Sequence, residues 1–377
     1  MSYDNVLPDG GQARRPRAIV KVNGTAVPGW VDWEVNNNSH YQADTFRVSF
    51  ARSQLPAQFG HDWWASQTAI NVEILAGFPP DPNSFTENQL TSWIYGNVDE
   101  IDDDPVSGLL TVSGRDLTSL LIDTKTTEDF REQTASGIAT TLANRHGLDT
   151  SYIATTRSKV GTFYKQDHVH MVHEHSEWDL LCYLAAHEEF QVYVDRLSLR
   201  FEPRSDPSSV TQYLLKWDSQ RSDRASPAFN GMQLNFVRNL TVARGIVVIV
   251  RSWHYGRKGA VTSTYPKSAT GIKPGMSATA GGQQVYTFTR PNLTQQEADD
   301  FATAKHRELT RHEMKLRASM PADDVLRADS VVQVLGVGSQ FDQSYFPDSV
   351  TRRMSLSEGY VMTLTAKNHN TDSETLP

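Results

Sequence analysis

The chain has 377 residues, enough for two or three domains of ordinary size. Its 36 basic and 44 acidic side chains give a net charge of −8, which argues against a protein that grips nucleic acid: such proteins carry a basic patch, and here only Arg14, Arg15 and Arg17 cluster. With 38% hydrophobic residues and no apolar run near the ~18 residues that span a bilayer, no membrane anchor is expected, and the single cysteine, Cys182, excludes an intrachain disulfide.

Residues 1–17 read as a flexible arm, with Gly10-Gly11, three arginines and neither the basic nor the apolar region of a secretory signal. Ala18–Val22 alternates into Asn23-Gly24, a strong hairpin turn, and the returning strand is placed at Trp30–Val35, broken by Asn36, Asn37, Asn38 and Ser39. Alternation recurs at Phe46, Val48 and Phe50 and at Ile70, Val72 and Ile74. Trp93–Val98 and Leu109–Val112 flank an acidic turn. About six short strands with frequent turn signals read as a sandwich or barrel.

The texture then changes. Thr134–His146 predicts a helix, with Ile138 and Leu142 one turn apart and Gly147 as its stop. Ser176-Glu177-Trp178-Asp179 predicts a capping box opening a second helix, which carries Trp178, Leu181, Cys182, Leu184 and Ala185 inward. Strands follow at Gln191–Val194 and Leu197–Phe201, so residues 119–203 read as a small α+β domain. Residues 204–210 read as a linker. Strands resume at Leu214–Trp217, Gly231–Phe236 and Ile246–Ser252, and Gly256–Gly282 reads as an exposed loop or ribbon. Thr294–Glu297 is a second capping box, opening a long polar helix to about His312. The end is β again, at Ser330–Leu335, Tyr345–Arg353 and Tyr360–Ala366.

Several motifs invite chemistry. His168 and His170 share one face of an extended strand, as do His173 and His175, and an HxH pair suits zinc. A third ligand and an HExxH pattern are missing, so a polar strand is preferred and no metal or cofactor is expected. Asp99, Glu100, Asp102, Asp103 and Asp104 offer clustered carboxylates but not the Asp-x-Asp-x-Asp-Gly calcium loop, and a solvated hairpin tip is preferred. A ring of such tips in an oligomer would line a negative channel. His306 and His312 fall on different helix faces and read as solvated. Gly336-Val337-Gly338 lacks the rest of a dinucleotide fingerprint, and no GxSxG occurs. Of the eight tryptophans, Trp30, Trp33, Trp63, Trp64 and Trp93 lie in the first β-region, where packing explains them at least as well as sugar stacking.

Tyr95-Gly96-Asn97-Val98-Asp99 resembles an aromatic-Gly-x-Val-Asp strand, and Val112-Ser113-Gly114-Arg115-Asp116-Leu117 a Gly-Arg-Asp strand end, of the phage baseplate hub, or late control, family. Ser136–Leu148, Ser176–Phe190, Leu197–Phe201, Phe301–Pro321 and Asp348–Asn368 resemble later pieces in the family's order, so the resemblance covers about Ala18 to Asn368. Type VI secretion spike proteins share the fold in their N-terminal part. The family-like structural positions are Gly96, Asp99, Gly114, Arg115 and Asp116.

The resemblance implies a mostly-β α+β fold with two antiparallel barrels, each similar to a tail-tube subunit. The first would span residues 18–118. The second would be split between 204–255 and 316–370, with 119–203 as the α+β domain, 256–315 as an inserted segment and 371–377 as a tail. It further implies a non-enzymatic virion component assembled in the host cytoplasm. Three copies would form a pseudo-hexameric ring joining a hexameric tail tube to a trimeric central spike, with other baseplate proteins and a tape-measure protein as partners and DNA only in transit. The chain stops soon after Asn370 without a β-helical spike or a cell-wall module, so those are expected on separate chains. The alternatives are a hub of a non-contractile tail or contractile injection system, a zinc-dependent hydrolase using His168 and His170, and a carbohydrate-binding tail-tip adhesin.

Overall fold

The computed structural model describes residues 2–4, 15–39, 41–126, 128, 130, 133–157, 175–188, 190–203, 212–218, 228–229, 231–239, 246–254, 259–267, 284–291, 293–310 and 314–368. The chain forms two compact units. The first comprises Met1–Tyr213, Ser319–Ser330 and Asp348–Leu364, and the second Leu214–Ala318, Val331–Pro347 and Thr365–Pro377. The architecture is mostly β, an α+β fold with large antiparallel sheets and few helices, as the sequence leads one to expect.

In the first unit an antiparallel ladder runs from Thr25–Ala26 through Arg17–Val22, Asn71–Gly77, Thr91–Asp104, Leu109–Asp116, Thr45–Ala51 and Trp30–Asn38 to the Asp348–Ser355 part of a late strand. Period-two alternation buries Val20, Val22, Trp33, Val35, Phe46, Val48, Phe50, Val72, Ile74, Leu110 and Val112. The Asn23-Gly24 turn forms, with φ of 46° and 78° as a type I′ hairpin requires. Its return is only Thr25–Ala26, however; Trp30–Asn38 instead pairs with Thr45–Ala51 and the late strand. That strand also continues through the asparagines expected to break it. Their amides are satisfied across the sheet: Asn37 Nδ2 donates to Asp44 Oδ2 (2.7 Å) and to the Trp93 carbonyl (3.0 Å), and Thr351 Oγ1 donates to Asn36 Oδ1 (2.9 Å).

The same unit holds the α+β part. Thr134 caps Ala135–Arg145 by accepting from Gly137 N, and the Ser176–Asp179 capping box opens Glu177–His187 as expected. A three-stranded sheet, Asp149–Ile153 parallel to Ser198–Pro203 and Phe190–Asp195 antiparallel to it, completes a core with Ile138, Leu142, Leu181, Leu184, Val192, Leu199 and Phe201 fully or almost fully buried. Cys182 packs against this core, and burial pushes its thiol up to about 12, so it is inert packing at neutral pH.

In the second unit, Ile246–His254 is the centre of a sheet, antiparallel to Gly259–Tyr265 and parallel to Gln284–Thr289. Gly259–Tyr265 gives a strand to the Gly/Ser-rich segment. The helix Gln295–Thr310 opens on the Thr294–Glu297 box and buries Ala298 and Ala302 with Val248 and Val250. This packing corrects the reading of His306 as solvated. It is buried, its Nε2 is 3.1 Å from the Ile246 carbonyl, and its ring packs edge-on to Tyr265. His312 lies outside the described residues.

Candidate functional site

Gly96 and Gly114 let two strands touch. In the register Gly96 faces Asp116 and Val98 faces Gly114, with an irregularity before Glu100 that frees Asp99 from the ladder. A Cβ on Gly114 would stand 1.9 Å from the Asn97 carbonyl oxygen, and one on Gly96 2.2 Å from that of Arg115. The released Asp99 receives Arg115 through two bonds, Nε to Oδ2 (2.7 Å) and Nη2 to Oδ1 (2.9 Å), and the same guanidinium reaches Asp123 at 3.0 and 3.1 Å. These partners, Asp99 first, hold Arg115 above its ordinary range.

Asp116 turns inward. Its Oδ1 accepts from Thr118 N (3.1 Å), its Oδ2 from Thr118 Oγ1 (3.0 Å), and its backbone N–H donates to the Asp44 carbonyl. The Asp44 carboxylate accepts from Asn37 Nδ2 and from Asn38 N, both at 2.7 Å. Burial first, and then the neighbouring Asp44, raises Asp116 well above the carboxylate range; burial raises Asp44 to about 6. Two carboxyls enclosed this way favour keeping a proton. Asn37 links the pair to Arg352, whose Nη1 donates to Asn37 Oδ1 (3.4 Å) and whose Nη2 donates to the Leu326 carbonyl. Arg352 is fully buried, with its guanidinium 3.4 Å from the Trp93 ring centroid, and burial lowers its pKa.

The raised carboxyls set a pH dependence. The folded chain binds their protons more tightly than the unfolded chain, so this contribution to stability is full below about pH 4 and is lost as pH rises through about 6 and above. Asp116→Asn keeps the acceptor for Thr118 N and lets the Thr118 hydroxyl reverse. Urea unfolding at pH 5 and pH 8 is expected to show a smaller loss of stability in this variant than in wild type; equal losses would contradict the assignment.

The acidic residues lie on the strand Thr91–Asp104, and the turn itself is Pro105–Gly108. Glu100, Asp102 and Asp104 are exposed, whereas Asp103 is bridged to Arg52 (2.9 Å) and His61. Among the described residues no group of three or more His, Cys, Asp or Glu is placed to hold a metal. His168 and His170, the zinc candidates, lie outside the described residues. Among the described residues no helix is long and apolar enough to cross a membrane. Asp44, Asn37 and Arg352 escaped the sequence reading. Arg352 alone carried a signal, since it shares strand parity with the buried Val350.

No family model matches the chain, and no curated protein sequence does. Solved structures do. A tail protein from Neisseria meningitidis MC58 is similar over 94% of this chain and 96% of its own, at 15% identity and a TM-score of 0.65. The 43 kDa tail protein of prophage MuSo2 from Shewanella oneidensis is similar over 93% and 98%, at 12% identity and 0.63. The E. coli c3393 protein is similar over 93% of this chain and 77% of its own, at 13% identity and 0.52; it is a type VI secretion component described as structurally similar to T4 tail proteins gp27 and gp5. The fold is therefore one shared with phage tail proteins and VgrG-like spike proteins, in agreement with the resemblance carried by the motifs.

Proposed function

We propose that the chain is the structural hub of a phage tail baseplate, without enzymatic activity. The observation that carries this reading is similarity to two tail proteins, one of them from a prophage, over more than nine-tenths of both chains. The hub is a homotrimer. Each subunit contributes two β-rich domains, so that three copies offer six similar positions to a hexameric tail tube and three to a trimeric spike. Residues 18–118 form the first tube-like domain, and residues 204–255 with 316–370 the second, split one. Other baseplate proteins and a tape-measure protein complete the partners, and the place of action is the virion. The net charge of −8 gives the ring's channel a negative wall that lets DNA pass without sticking. Gly96, Asp99, Gly114, Arg115 and Asp116 serve the junction between the first domain and the α+β part.

A hub of a contractile injection machine is the second reading, supported by the likeness to the type VI secretion component. Native mass measurement of the purified chain tests the proposal. Three chain masses are expected; a monomer at micromolar concentration, or a chain carrying stoichiometric zinc, would count against it.

A further inference from the structure

Among the described residues, the two most exposed large hydrophobic side chains are Val106, 96% exposed, and Leu356, 83% exposed. Each sits on a hairpin turn of the first unit, Val106 as the second residue of the turn 105–108 and Leu356 as the first of the turn 356–358, and each turn is tied by a side chain of the strand before it. Asp104 Oδ1 accepts from Val106 N (2.8 Å) and Ser107 N (3.1 Å), and Gly108 closes the turn at φ 71°. Ser355 Oγ accepts from Glu358 N (3.0 Å), and Gly359 closes that turn at φ 75°. Both loops are tied to their own strands, so they present their aliphatic side chains in a fixed direction with little ordering cost on binding.

The register places both turns at one end of the sheet. Ser355 pairs with Asp32, Asp32 with Ser49, Ser49 with Thr111 and Thr111 with Asp102. Followed through these pairs, the chain leaves the sheet beyond Ser355 on the same side as it does beyond Asp104. Three inter-strand steps, about 14 Å along the sheet, separate the nearest strands of the two hairpins. A single exposed aliphatic is ordinary. Two on side-chain-tied turns, where Gly, Asn, Asp and Ser are the usual residues, bring the fold no packing and break a local preference twice at the same end.

The surroundings restrict the partner. Glu100, Asp102 and Asp104 are exposed on the Val106 hairpin, while the cations near this end are engaged: Arg52 by Asp103, and Arg353 by Glu358 at 3.6 Å. An apolar tip beside uncompensated carboxylates suits neither DNA nor an anionic lipid surface. We infer that the Val106 and Leu356 turns are a two-pronged docking surface for a second tail protein, one presenting two apolar sockets with a Lys/Arg-rich rim. The class of partner rests on the hub reading; the prongs and their charge do not.

The test places a photo-crosslinking benzoylphenylalanine at position 106 in one variant and at 356 in another, in cells assembling the whole particle. Both are expected to capture the same polypeptide, different from this chain, through peptides containing Lys or Arg. Capture of this chain's own peptides, of DNA or lipid, of two unrelated polypeptides, or of nothing overturns the inference. Val106→Asp combined with Leu356→Asp alters only exposed side chains, so its unfolding midpoint should match wild type while its incorporation into particles falls about tenfold or more. Unchanged incorporation would also overturn it. The free chain's mass separates the two ideas: a trimer whose prongs capture nothing retains the hub and loses the docking surface, and a monomer whose prongs capture one basic partner does the reverse.

Discussion

Gly114→Ala is expected to destabilise the first unit by about 3 kcal/mol or more, a large share of the roughly 5–15 kcal/mol that holds a domain folded. The added methyl would meet the Asn97 carbonyl oxygen at 1.9 Å and Phe46 Cζ at 2.9 Å. Neither can retreat cheaply. Asn97 is fixed by its ladder to Arg115 on one side and Asn71 on the other, and Phe46 is a core residue of the neighbouring strand. Gly96→Ala meets the Arg115 carbonyl at 2.2 Å and should behave similarly. Urea titration followed by tryptophan fluorescence reports the loss, since Trp33, Trp64 and Trp93 are all buried in this unit. A wild-type midpoint for Gly114→Ala would mean that the two strands do not cross as described.

Glu177→Ala is expected to cost about 3 kcal/mol, from a different cause. Glu177 is wholly buried at the first position of its helix, with one carboxylate oxygen bonded to Arg145 Nη1 and the other 2.6 Å from His146 Nε2. It thus ties the C-terminal end of one helix to the N-terminal end of the next, where both helix dipoles favour the charges present. Arg145 is held above its usual range chiefly by the more exposed Glu128, so it keeps a partner in the variant; His146 loses the bonded carboxylate oxygen. Glu177→Gln keeps the shape and should lose less. Loss of near-ultraviolet dichroism from the Trp178 environment at lower urea than in wild type would verify the effect. Equal stability of Glu177→Ala and wild type would show that the carboxylate makes no net contribution.

Local chemistry made much of this fold legible. Ser176 with Asp179 and Thr294 with Glu297 carry their helix starts in four residues each, and strict alternation at Phe46, Val48 and Phe50 or at Val112 names a buried face. What stayed hidden depends on distant chain. Asn36 and Asn37 look like strand breakers until Thr351, Asp44 and the Trp93 carbonyl supply their bonds, and Thr351 lies 315 residues away from Asn36. His306 reads as solvated on a polar helix because only the sheet beneath it supplies Tyr265 and the Ile246 carbonyl. The short helix His61–Ser66 follows Gly60 without a side-chain cap, and no sequence signal announces it. The Gly-Arg-Asp motif was visible as a pattern. The reason for its glycines, strand contact within van der Waals distance, was not. The inward Asp116 needs Asp44 beside it before its proton has any meaning.

The sheet of the first unit is braced on its surface by Arg115 with Asp99 and in its core by Arg352 with Trp93.

Averaged electron micrographs of the purified oligomer viewed down its axis test the central claim most directly. A closed ring of three subunits showing six similar lobes around an open channel is the expected result. A ring with three lobes only, a filled centre, or particles of single-chain size would contradict it.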